Sequence, residues 1–266
     1  MSGRPGALLV AAGALLAGAC RDELVGKPAA LAVDVGGVDW GAMVERLAGT
    51  ANLISNGGFE ANLAPWFVPQ DDAWRPGEVV TSVARGGRSS LATPLRAATG
   101  TTGQRRWGAM YEVGTVPFPR VASLWYRVER WEAANAPQYL LFAVLLGAGG
   151  QTYQMRYFLA GVETIPYNDQ GNARFVLARK GPPETGRWIS FTADLHRDFR
   201  ERWGRVPQSF EWLRFAVETR YEVLGPPLER AIAADVYFDD VTVGWSAPAP
   251  SPPGLGATTP PDEARP

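Results

Sequence analysis

The body of this chain is predicted to be an all-β domain of sandwich type, and three observations carry the prediction. Short apolar or alternating runs recur from about residue 52 to residue 243. Clusters of Gly and Pro separate most of them, and one segment alone in that span has strong helical spacing.

Strands are expected at 52–55, 79–84, 89–93, 107–116, 121–128, 138–146, 152–159, 188–192, 210–219 and 236–243. Residues 139–146 are continuously apolar, which suits a central strand covered on both faces. In 152–159 the pattern alternates, with Tyr153, Met155, Tyr157 and Leu159 on one face and Gln154, Arg156 and Phe158 on the other. Leu124, Tyr126 and Val128 with Leu213, Phe215 and Val217 make a core parity. The helix is 194–203: Leu195, Phe199 and Trp203 recur every four residues, Asp194 is the N-cap and Gly204 the stop.

The ends differ from this body. Met1-Ser2-Gly3-Arg4 is a short basic start, and residues 7–19 are an uncharged, mostly apolar run, too short for a comfortable membrane span. The run closes Leu15-Leu16-Ala17-Gly18-Ala19-Cys20, and Cys20 is the sole cysteine of the 266 residues. This resembles the bacterial lipobox, which implies cleavage of a signal peptide (1–19) and lipidation of Cys20. Residues 20–50 then read as a tether, in which Trp40, Met43, Val44 and Leu47 mark one apolar helical face. From 246 to 266 there are seven prolines, and such a segment, which neither pairs in a sheet nor buries a core, reads as a disordered tail. The domain is therefore expected over 51–245.

Composition narrows the function classes. A formal net charge of -1 gives no basic field for nucleic acid. One Cys and one His exclude Cys-rich and His-rich zinc sites. With no internal disulfide available, a secreted domain must rest on its core; ten tryptophans and 46% hydrophobic residues supply one.

Three local patterns occur in order: Asn52-Leu53-Ile54-Ser55-Asn56-Gly57-Gly58-Phe59-Glu60 followed by Trp66; Arg85-Gly86-Gly87-Arg88-Ser89-Ser90-Leu91; and Val236-Tyr237-Phe238-Asp239-Asp240-Val241-Thr242-Val243. With Gly186-Arg187-Trp188 ahead of the last strands, the set resembles the galactose-binding-like jelly-roll family that includes carbohydrate-binding modules of the CenC type. The resemblance covers roughly Ala51 to Trp245 and implies a jelly-roll β-sandwich. The 161–186 stretch departs from it as an insertion. It also implies a structural Ca²⁺ held by Glu60 and Asp239, with main-chain oxygens near Gly86–Arg88. From the residues alone, Asn56-Gly57-Gly58 reads as a turn tolerant of positive φ. Asp239 shares a parity with Tyr237, Val241 and Val243, so its carboxylate needs a cation, an Arg or backbone amides.

Sugar clefts combine aromatic rings with side chains that bond hydroxyls. Trp125 and Arg127 (with Glu129), Gln154 and Arg156, and Trp212 and Arg214 (with Glu218) supply such rows at period two. If their strands align on one sheet they line one groove; the alternative is that Trp125 and Trp212 pack beneath a loop. Trp66, Trp74, Trp107 and Trp131 are candidates for a loop-end site instead.

No catalysis is expected. The lone His196 reads as a solvent-facing residue at a helix start, and no Gly-x-Ser-x-Gly elbow exists. Asp239-Asp240, Asp71-Asp72 and Glu218 are candidate carboxylates by residue type alone. The sequence thus reads as a secreted, lipid-anchored, non-catalytic carbohydrate-binding protein of the bacterial envelope or surface, with a poly- or oligosaccharide and the membrane as partners. A structural lipoprotein contacting an envelope protein is the second class, and a glycan-processing enzyme the third.

Overall fold

The structure, a computed structural model, describes residues 52–114 and 116–246. Cys20, the 20–50 tether with its 40–47 segment, and the 247–266 part of the tail lie outside the described residues. The described strands are β1 (Trp74–Pro76), β2 (Glu78–Val80), β3 (Ser90–Ala92), β4 (Leu95–Ala97), β5 (Gly103–Val113) and β6 (Val121–Glu132). They continue with β7 (Gln138–Ala148), β8 (Gln151–Ala160), β9 (Ala173–Leu177), β10 (Trp188–Asp194), β11 (Trp212–Val223) and β12 (Ile232–Gly244); the helix α1 (Leu195–Trp203) follows β10.

The strands form two sheets. The first has the order β1-β5-β11-β7-β8-β9; the second is β10-β6-β12-β3-β2, with β4 also on β12. From β5 onward the chain passes back and forth between them, which makes the fold a jelly-roll β-sandwich. Pairing is antiparallel except where the short β1 joins β5 and β9 joins β8.

The alternation in the sequence explains which faces meet. Leu124, Tyr126 and Val128, Leu213, Phe215 and Val217, and Tyr153, Met155, Tyr157 and Leu159 all enter one inter-sheet core. Each large side chain fully buried there contributes about 2 kcal/mol. The continuous run in β7 is covered on both sides, as expected: Leu140, Phe142, Val144 and Leu146 face the core, while Tyr139, Leu141 and Ala143 lie under apolar clusters on the outer face. In α1 the Asp194 carboxylate accepts from the Arg197 N–H at 3.0 Å, and Gly204 takes φ 75° to end the helix.

Four expectations are corrected. Residues 52–55 form no strand, because the Asn52 side chain intercepts the backbone groups: it accepts from Ile54 N and Val243 N and donates to Val241 O. The 79–84 strand is cut to β2, since the chain next loops back over the end of β12. The 161–186 stretch is more than a loop; it carries β9 and is closed at its neck by Gly161 N to Gly181 O (2.7 Å) and Gly181 N to Val162 O (2.8 Å). Finally, a bulge between Asp239 and Thr242, with Asp240 at φ 48°, breaks the parity of the last strand. Val241 and Val243 then turn into the core with Phe238, and Asp239 stays on the outer side beneath the 85–89 loop.

Candidate functional site

The six residues expected to line one groove are divided between the sheets. Trp125 and Arg127 belong to β6 and face outward from the second sheet, where the Arg85 guanidinium lies 3.8 Å from the Trp125 ring centre and Arg127 pairs with Glu129. Gln154 and Arg156 (β8) and Trp212 and Arg214 (β11) lie on the outer face of the first sheet, on the two sides of β7. A single groove containing all six does not form, because β6 and β8 belong to different layers. Trp66 is buried in the core against Phe59 and Tyr111, and Trp107 packs inward on Tyr221. Trp131 approaches the neck at Gly161, and Trp74 alone of the four flanks the face described next.

On the outer face of the first sheet, strand register sets a diagonal of charge. Arg156 sits opposite Ala143; Glu218 lies between Leu141 and Gly108 one row further; Arg220 lies between Tyr139 and Arg106 in the row beyond; Glu222 faces Gln104 in the last. Two apolar clusters bank this stripe. Trp74 and Met110, with Phe67 and Val68 beside them, cover Ala143 and Ala216 on one side. Phe158 and Phe175, with Ile165 and Tyr167, cover Leu141 and Tyr139 on the other.

The stripe is buried yet incompletely paired. Glu218, Arg220 and Glu222 are 3%, 6% and 3% exposed. Arg220 pairs with Glu222 and donates to Gln104 Oε1 at 2.6 Å. Arg106 lies over Trp74 (5.2 Å to the ring centre), and its nearest carboxylate oxygen, on Asp71, is 3.8 Å away. Arg156 gives two N–H bonds to Gln154 Oε1, at 3.0 and 2.6 Å. Burial pulls the Arg106 and Arg156 guanidinium pKa values below the ordinary one; Glu218 opposes that, and the neighbouring Arg220 charge adds to it. Burial likewise pushes Tyr139 up to about 12, and its hydroxyl meets that of Tyr167 at 2.9 Å. Among the described residues eight buried side-chain atoms lack a hydrogen-bond partner, and five belong to this stripe: Arg106 Nε, Glu218 Oε2, Arg220 Nε and Nη1, and Glu222 Oε2. Such atoms are costly to leave unpaired, so their concentration sets this stripe apart from the rest of the described residues.

Of this stripe the sequence named Glu218, Arg156 and Gln154 and missed Gln104, Arg106, Tyr139, Arg220 and Glu222. The period-two row beginning at Trp212 runs on through Arg220 and Glu222 once the strand is extended past Thr219, a signal that was available. Tyr139 is hidden in an apolar run, and Arg106 precedes the predicted start of its strand.

Two other places gather titratable groups. A pocket of ≈ 290 Å³ opens between β10 and the β8–β9 edge, with Tyr126, Tyr157, Phe191 and Asp198 in its lining. Its polar groups already serve each other: the Tyr157 hydroxyl donates to Asp198 Oδ2 at 3.0 Å, and Arg197 Nε donates to Asp198 Oδ1 at 2.9 Å. The lone histidine is half-buried, not solvent-facing; its Nε2 lies 3.0 Å from Phe118 O and its ring stacks on Phe118.

The other gathering is the corner to which the family resemblance assigned calcium. Glu60 Oε1 accepts from Arg88 N and Ser89 N, both at 2.9 Å. Asp239, fully buried, accepts from Arg85 N (2.8 Å), Gly86 N (3.3 Å) and Asp240 N (2.7 Å), while the Arg85 side chain pairs with Asp240. Burial first, and the adjacent Asp240 charge, push Asp239 up to about 6, against the pull of its amide bonds. A Cβ on Gly87, at φ 61°, would fall 2.3 Å from Glu60 Oε1, so glycine is required there. The two glycines of the Asn56 turn keep negative φ; positive φ falls on Asn56 and Phe59 instead, and Gly57 is needed because a Cβ would meet Val241 O at 2.0 Å. Calcium requires a shell of oxygens. Here amide hydrogens point at both carboxylates, and among the described residues no three of His, Cys, Asp and Glu are grouped to hold a metal ion. Glu60 and Asp239 as arranged do not fit that role; they clamp the 85–89 loop.

Fold and stripe together define a jelly-roll sandwich with a banked polar face. No protein-family model matches the chain, and no curated protein matches it. Among solved structures, 34 chains match. One is the carbohydrate-binding module TmCBM61 in complex with β-1,4-galactotriose: 14% identity, TM-score 0.39, 73% of this chain and 99% of that one. Another is the endo-β-1,4-glucuronan lyase of the fungus Trichoderma reesei: 13% identity, TM-score 0.40, 69% and 92% coverage. A third is CBM28, a carbohydrate-binding module specific for non-crystalline cellulose: 10% identity, TM-score 0.38, 73% and 95% coverage. At these scores the likeness carries no functional argument.

Proposed function

We propose that this protein binds carbohydrate, without catalysis, on the outer face of its first sheet. The observation that carries this reading is the set of five unpartnered buried atoms between aromatic banks, three of them N–H donors and two carboxylate acceptors. A sugar hydroxyl both donates and accepts, so a polyhydroxylated chain suits a stripe in which donors and acceptors alternate. Phe67 and Tyr167, both half-buried, supply the apolar flanks against which a pyranose face rests. The same proposal places the protein at a bacterial membrane through lipidated Cys20, on the strength of the residues preceding that cysteine.

The test is a glycan array followed by affinity electrophoresis with the full chain in mild detergent. Retention by at least one glycan, lost on replacing Arg220 and Glu218 together but kept on replacing Trp125 with Ala, is expected. Silence across a broad array would remove the reading. Labelling with a palmitate analogue, abolished by Cys20→Ser, tests the anchor.

A further inference from the structure

Charge on the stripe does not balance. Glu222 is consumed by Arg220. That leaves Arg106 and Arg156 facing one carboxylate, Glu218. Among the described residues Arg156 has no carboxylate within salt-bridge distance, and the one that close to Arg106, Asp71, stands 3.8 Å off on a half-exposed side chain. A half-buried guanidinium whose bonds go to a neutral amide is expensive to keep. The other arginines of this face have closer acidic partners: Arg214 has Glu112 at 2.6 Å, and Arg220 has Glu222. The excess positive charge is thus confined to the two arginines between the apolar banks.

Resting on the carbohydrate-binding reading, we propose that the bound glycan carries carboxylates, a uronic-acid chain, and that Arg156 and Arg106 pair with carboxylates along it. A planar carboxylate matches the guanidinium fork and supplies the missing charge. Glu218 then serves selectivity of a second kind: its charge, set between the two arginines, repels a ligand more densely charged, such as a polysulfate.

The experiment uses a polyuronate and the same polymer after chemical reduction of its carboxyl groups, titrated calorimetrically into the full chain. The polyuronate is expected to bind at least tenfold more tightly than its reduced form, with an affinity that falls as salt rises. Arg156→Gln is expected to remove most of that difference and Arg156→Lys to restore part of it, while thermal melting confirms that both variants fold. Equal affinity for the two polymers overturns the uronate assignment and leaves carbohydrate binding standing. Binding of neither polymer, nor of any glycan on the array, overturns both.

Discussion

The two outer faces of this sandwich treat buried charge in opposite ways. On the second sheet, Asp239 is fully buried and every oxygen of its carboxylate meets a backbone amide, while the Arg85 side chain is held between Asp240 and Trp125. On the first sheet, Glu218 and Arg220 are almost as buried but keep atoms with no partner. The first arrangement holds a loop to a strand and is complete. The second gives up stability, a cost that the proposed binding role accounts for.

Substitutions at the two places should therefore separate stability from binding. The largest effect is expected for Asp239→Ala, which strands three amides at once. It should cost about 2 kcal/mol or more and lower the melting temperature by roughly 5 °C in a domain of this size, with glycan affinity unchanged. A loss of affinity without loss of stability would invert the assignment of roles.

Next in size is a pH effect at the same residue. Asp239 has a folded pKa of about 6 against an ordinary value of 3.8, so between these values the folded protein holds a proton that the unfolded chain has released. Ionisation of Asp239 thus costs stability above about pH 6, and the cost is recovered as the pH falls from 6 towards 4. Melting curves across that window should show wild type gaining stability relative to Asp239→Asn on acidification; parallel curves would refute the shift.

Smaller still is the stability effect of Arg156→Gln on the other face. Its bonds run to Gln154 on its own strand, so the melting temperature should move by less than about 2 °C while polyuronate affinity drops at least tenfold. The smallest expected effect is that of a chelator. With Glu60 and Asp239 engaged by amides, EDTA should leave the melting temperature unmoved; a fall reversed by added calcium would assign those carboxylates to an ion instead.

What the sequence made legible follows from periodicity. The core rows of β6, β8 and β11, the double burial of β7 and the caps of α1 are local patterns, and each stands as read. The allocation of strands to layers is not local: β6 and β8 alternate alike, and nothing in Trp125, Arg127, Gln154 or Arg156 tells which sheet each strand joins. Short strands such as β1 and β9 carry no alternation long enough to see, because the neighbouring strand orders them. Asp239 was rightly singled out as a carboxylate in need of a partner. Of the partners weighed, backbone amides are the ones that meet it, and the bulge that delivers them depends on a loop some 150 residues earlier in the chain.

The pinned neck at Gly161 and Gly181 carries a consequence for how such a protein diversifies. One bank of the stripe, including Ile165, Tyr167 and Phe175, lies on an excursion whose ends are joined by two backbone hydrogen bonds. Closing a longer or shorter loop over a fixed neck changes free energy slowly, by about 0.6 kcal/mol for a doubling in length. Outside β9, which is tied to β8, the excursion can therefore change length at small cost, while β5, β11 and β7 keep the charged floor in register. On the proposed carbohydrate-binding reading, that bank and the charged floor can therefore change independently of one another.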